Sequence, residues 1–129
     1  MVRLMEDKDY NMLVEWWKFH NYPIMPKSHV PFTTFISLDD KEEPCASWCV
    51  YICEGKLALG ECLTSKPNLD RETRRFHAMK CLEAGRKFCN EKNITLITFS
   101  DSKNINNLLE KTNFKLQGSN LEMFCAERN

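Results

Sequence analysis

Apolar positions along the chain change period several times, and each change predicts an element. Val2–Met5 reads as a short strand. From Asp7 the apolar residues Tyr10, Leu13, Val14, Trp17 and Phe19 fall mainly on one face of a helix that Asp7 opens. Pro23, Pro26 and Pro31 stop that helix near Tyr22 and make 22–31 an ordered loop. Phe32–Leu38 is a strand closed by the polar turn 39–43. Cys45–Cys53 carries apolar residues on both faces and belongs in the middle of a covered sheet. Glu54-Gly55 signals a hairpin, with Lys56–Ser65 as its return strand.

A long amphipathic helix follows over 70–90, with Phe76, Met79, Leu82, Phe88 and Cys89 on its apolar face and Gly85 as a blemish. Ile94–Phe99 is a strand, and a helix runs over 103–111, where Asn113 suits a left-handed cap. Phe114–Gln117 and Leu121–Ala126 are two last strand-like pieces. The order β-α-β-β-β-α-β-α-β-β defines an α/β (α+β) class. It implies a mixed, mostly antiparallel central sheet with one right-handed βαβ crossover at 57–99 and helices on both faces.

Length and composition bound this picture. The 129 residues suit one domain over 1–129, and 43% hydrophobic with 28% charged residues excludes disorder. No apolar run is long enough for a transmembrane helix, and acidic residues come too early for a signal peptide. Eighteen basic residues balance eighteen acidic ones, which argues against nucleic acid as the main partner. The seven cysteines, an odd number mostly inside apolar segments, read as reduced core residues of a cytoplasmic protein. Cys45, Cys49 and Cys53 repeat every four residues. On a strand that step spans about 13 Å, so no single ion reaches all three and no metal is expected.

Two places could carry chemistry. The stretch from Gly60 to Phe76 runs from strand through loop into a helix start, where Arg71, Arg74 and Arg75 gather. Free N–H groups and guanidiniums there suit a phosphate, and cations at the positive end of a helix cost stability without an anion nearby. The competing reading is a solvated helix start answered by Asp70 and Glu72. Glu61 shares a strand face with Leu57, Leu59 and Leu63, so desolvation would raise its pKa toward that of a general base. The alternative is a strand-end carboxylate that reaches solvent or pairs with an arginine. Gly60 beside it permits close approach of a ligand or marks a bulge. The three histidines read as surface or helix-end residues, His77 on the polar side of its helix. Trp17 reads as core, and Trp16 faces the other way, toward a groove beside Tyr22.

Taken in order, Trp16-Trp17, Pro26, the hairpin from Ala46 to Ala58, Glu61, Lys66-Pro67-Asn68 and Asn113-Phe114 resemble the GNAT acetyltransferase family. The chain looks most like the small GNAT-like proteins that bacteriophages encode. The resemblance implies acetyl-CoA as cosubstrate, held by Cys62, Leu63, Thr64, Arg71, Arg74, Arg75, Phe76 and Asn104. It makes Glu61 the base that deprotonates an amine, small molecule or protein, and builds the acceptor pocket from 16–31 and 118–124, with Trp16, Tyr22 and His29. The family's phosphate loop carries glycines where Arg71-Glu72-Thr73-Arg74-Arg75-Phe76 has none, and its usual acidic tyrosine falls on Leu109. Two functions follow as alternatives. One is an N-acyltransferase working in the cytoplasm. The other is a non-catalytic GNAT-fold phage protein that serves in the virion or binds a host or phage protein.

Overall fold

The computed structural model describes residues 1–100 and 102–118. Five strands form one sheet in chain order: β1 (Val2–Leu4), β2 (Thr34–Leu38), β3 (Pro44–Cys53), β4 (Leu57–Ser65) and β5 (Thr95–Thr98). Neighbours are antiparallel until the last pair, where β4 and β5 run parallel. The parallel pair is what helix α2 (Arg71–Glu91) makes possible, since a parallel return needs a long crossover. Helices α1 (Tyr10–Phe19) and α3 (Lys103–Lys111) complete the mixed α/β architecture.

The pairing register sorts the β3 residues onto two faces. Ala46, Trp48 and Val50 meet Ala78, Cys81 and Leu82 of α2 in the larger core. Thr34, Ile36, Ser47 and Cys49 are buried on the opposite face. The α1 cluster is built from Leu13, Trp16 and Trp17, with Met25 and Val30 of the proline loop packed on it. Tyr10 Oη donates to the Met25 carbonyl at 2.6 Å, and Tyr51 Oη to Met25 Sδ at 3.3 Å, which ties the loop to both helix and sheet.

Several expectations from the sequence are corrected. The first helix begins as a 3₁₀ turn at Asp7–Asp9, and its α-helical part ends at Phe19, short of Tyr22. Buried Asp9 holds that start: it accepts both Arg3 guanidinium nitrogens, at 2.7 and 3.0 Å, and the Glu6 N–H at 2.8 Å. Burial alone would raise its pKa, but these bonds outweigh it and hold Asp9 below the usual carboxylate range. Phe19 is exposed, whereas Trp16, expected at a groove, is 5% exposed and belongs to the α1 core. His77 faces the sheet: it is buried, with Nδ1 hydrogen-bonded to Ser37 Oγ at 2.7 Å, and burial lowers its pKa. Cys45, Cys49, Cys81 and Cys89 are buried thiols as expected, but Cys53 and Cys62 are exposed. Phe114–Gln117 forms no strand, and Leu121–Ala126 lies outside the described residues. No helix among the described residues is long and apolar enough to cross a membrane.

Candidate active site

The site begins where β4 leaves β5. Their ladder runs from Leu57↔Thr95 to Gly60↔Thr98 and stops, closed by a hydrogen bond from Thr98 Oγ1 to the Gly60 carbonyl at 2.9 Å. Across β4 on the β3 side, Cys49 pairs Glu61 but Ser47 pairs Thr64, so the single residue Trp48 opposes both Cys62 and Leu63. That extra residue is a β-bulge, and Cys62 takes up the strain with φ of 56°. The bulge also corrects the expected face. Leu63 turns to the α2 side and packs on the larger core, while Glu61 keeps the side of Cys49 and Tyr51. Gly60 is explained by packing: a Cβ there would lie 2.1 Å from the Trp48 ring.

Past Gly60 the strands part, and two clefts open whose linings share Leu63 and Ile105. The outer cleft, about 290 Å³, is bounded by β4 residues 63–65, by Arg71, Arg74 and Arg75 of α2, by Asn104 of α3, and by His20 and Tyr22. The inner chamber, about 160 Å³, is bounded by Glu61 and Cys62, by the end of β5, and by Trp48, Leu82 and Leu109.

Electrostatics differ between the two. At the outer cleft Asp70 caps α2, its carboxylate accepting the Thr73 N–H and Thr73 hydroxyl at 2.8 Å each. Among the described residues no ion pair involves Arg71, Arg74 or Arg75, so neither Asp70 nor Glu72 neutralises them. A concave surface with three guanidiniums unpaired among the described residues attracts negative charge. At the inner chamber Glu61 is exposed rather than enclosed by leucines. Its carboxylate still loses enough water to raise its pKa. Burial raises Cys62 as well, with the Glu61 charge adding to it. On the same face, burial pushes Cys49 and Tyr51 up to about 12 each.

Of the residues anticipated from sequence, Cys62, Leu63, Thr64, Arg71, Arg74, Arg75 and Asn104 line the clefts together with Glu61. Tyr22 is there too, at the arginine end. Phe76 is 53% exposed, set edge-on to His77 and under Lys80, and lines neither cleft. His29 is exposed on a 3₁₀ turn at Lys27–His29, and Trp16 is enclosed in the α1 core; neither lines a cleft. The missed residue is His20. Its Nε2 donates to the Ser65 carbonyl at 2.8 Å and its ring stacks on Tyr22, centroids 5.5 Å apart. Its place at the end of α1, ahead of the prolines, was the only signal. Residues 119–124, anticipated at the acceptor pocket, lie outside the described residues. Cys45, Cys49 and Cys53 are strung along β3, and no group of His, Cys, Asp or Glu among the described residues is arranged to hold a metal.

A mixed sheet whose one parallel pair splits next to a bulge, with a long helix following the split strand, is the GNAT-like fold, and solved structures bear this out. A Trypanosoma brucei acetyltransferase superposes with a TM-score of 0.69 at 14% identity, over 97% of this chain and 99% of its own. An aminoglycoside 6'-N-acetyltransferase from Acinetobacter baumannii gives 0.66 at 10% identity, over 100% and 99%. A Staphylococcus aureus acetyltransferase of the GNAT family gives 0.61 at 11%, over 88% and 81%. No family model matches the chain, and no curated protein matches it in sequence.

Proposed function

We propose that the protein is an acyl-CoA-dependent N-acyltransferase in which Glu61 is the general base. The observation that carries this reading is a pair of neighbouring clefts, sharing Leu63 and Ile105 in their linings, one with three arginines that form no ion pair among the described residues and the other with a carboxylate of raised pKa. The residues fit such a donor. Arg71, Arg74 and Arg75 offer forked donors for phosphate oxygens, replacing the loop glycines with side chains. The β4 edge past Gly60, released from β5, is free to pair with an extended amide-bearing chain.

The donor supplies an acyl group activated as a thioester. The chain's own residues hold that group beside Glu61 and take the proton of the attacking amine. A C–N bond forms as the C–S bond breaks, the electron pair leaves on sulfur, and solvent returns a proton to the thiolate. The thiolate is a good leaving group, so Leu109 in place of a tyrosine slows this step without forbidding it. The GNAT-like neighbours named acetyltransferases support acetyl-CoA as the donor class. The acceptor amine is unassigned.

The test is thiol release from acetyl-CoA in the presence of spermidine, kanamycin and a lysine peptide. Glu61→Gln should lower turnover about 10²–10⁴-fold, the usual worth of a general base. Its melting temperature should be unchanged. Because desolvation raises the Glu61 pKa, wild-type turnover should climb with pH through a value above the ordinary 4.5 of a glutamate. Leu109 and the glycine-free loop favour a second reading, a GNAT-fold binder of a phage or host protein. It predicts no thiol release with any amine and identical behaviour of Glu61→Gln.

A further inference from the structure

The outer cleft brings two unlike groups of side chains together. Arg71, Arg74 and Arg75 come from α2, and His20 and Tyr22 come from the end of α1. The two rings stack at 28° with centroids 5.5 Å apart. Backbone and side chain both hold this pair in place. Asn21, at φ of 58°, turns the chain back at the end of α1, and the Tyr22 N–H donates to the Trp17 carbonyl at 2.9 Å. His20 Nε2 donates to the Ser65 carbonyl at 2.8 Å, which fixes its ring against β4. Tyr22 remains 45% exposed, so stacking on His20 leaves it a fixed surface open to a ligand. Thr64 is 4% exposed and lines the same cleft, and its hydroxyl has no hydrogen-bond partner among the described residues. A buried hydroxyl left unpaired is costly and points to a group supplied from outside. Guanidiniums beside a fixed aromatic ring match a molecule that carries both phosphate and a flat heteroaromatic base, which is a nucleotide.

We infer that Tyr22, backed by His20, is the stacking platform for the purine base of the donor, with phosphate on the arginines of the same cleft. This rests on the acyl-CoA reading above and adds what tells a nucleotide-bearing donor from a thioester on a bare phosphopantetheine arm. The arginines hold phosphate whatever it is attached to, whereas stacking needs a base. Tyr22 is therefore a specificity-determining residue that acts on the choice of donor and not on the acyl transfer itself. Its ring does the stacking and its hydroxyl is dispensable.

Calorimetric titration of the full chain tests this without any acceptor. The ligands are free CoA, phosphopantetheine, the adenosine bisphosphate that forms the nucleotide end of CoA, and the same ribose bisphosphate without its base. In the wild type the adenosine bisphosphate should bind at least about fivefold more tightly than its base-free counterpart. Tyr22→Ala should weaken CoA and the adenosine bisphosphate by roughly 5- to 150-fold and leave phosphopantetheine unchanged, while Tyr22→Phe should match the wild type. Equal behaviour of the two bisphosphates, absence of binding included, overturns the inference and leaves the acyl-CoA reading standing as long as CoA binds. So does a CoA affinity unmoved by Tyr22→Ala, or an equal loss for CoA and phosphopantetheine, which would place the effect in the cleft and not in the base. Failure of every ligand, free CoA included, overturns both. The wild-type pair of bisphosphates decides the matter even if Tyr22→Ala does not fold.

Discussion

The Trp48 indole lies between Gly60 of β4 and Gly85 of α2, and neither glycine has room for a Cβ: the nearest ring atoms would be 2.1 and 2.6 Å away. Both contacts are far inside the van der Waals limit. Gly60→Ala and Gly85→Ala should therefore each cost about 1–3 kcal/mol, seen as a lower denaturant midpoint in urea unfolding. Asp9 is the second residue whose burial sets a measurable cost. Its folded pKa lies below the unfolded value, so its contribution is full above that value and is lost as pH falls through the folded one. Asp9→Asn should lose about 1.5–3 kcal/mol at pH 7 and much less at pH 2–3, in urea unfolding at both. His77 acts in the same direction at higher pH. It is held neutral in the fold, so stability declines as pH drops below its ordinary 6.5 and levels out below the folded pKa. His77→Gln should remove that slope.

Each helix ends by the same device, and only one end was legible beforehand. Asn21, Asn93 and Asn113 have φ of 58°, 60° and 68° just past α1, α2 and α3. The following residues, Tyr22, Ile94 and Phe114, donate back to the carbonyls of Trp17, Cys89 and Leu109 at 2.9, 2.8 and 2.9 Å. An asparagine followed by an apolar residue is thus the stop signal at all three ends, and only Asn113 reads as a cap from the sequence alone. The core β-strands and the span of α2 were readable from runs of apolar residues and from Asp70 as a cap. The bulge was not. Nothing in Glu61-Cys62-Leu63 announces a left-handed cysteine, and the two-residue alternation counted straight through it. That one backbone angle explains why Leu63 lies on the opposite face from the one the alternation predicts. The account predicts that Cys62→Gly is tolerated, whereas Cys62→Val costs about 1–2 kcal/mol because a β-branched residue resists that φ. Urea unfolding of the pair checks it.

At the scale of the whole molecule, the order of elements forces the site. A single parallel pair at the end of an antiparallel sheet brings the end of β4, the start of α2 and the face of α3 to one opening. Residues 61 to 104, distant in sequence, meet there. The arginines and Glu61 could be singled out from composition and local pattern, because charge at a helix start and in an apolar strand is conspicuous. His20 could not, because its place beside Ser65 and Tyr22 depends on packing between elements that no local period records. The most direct test is calorimetric titration of acetyl-CoA into the wild-type chain and into Arg71→Ala/Arg74→Ala/Arg75→Ala. The account predicts micromolar binding to the wild type, weakened by about ten- to a hundredfold in the triple variant as charge-assisted contacts to phosphate are lost. Absence of binding at millimolar acetyl-CoA, or equal affinity in the two proteins, would contradict it.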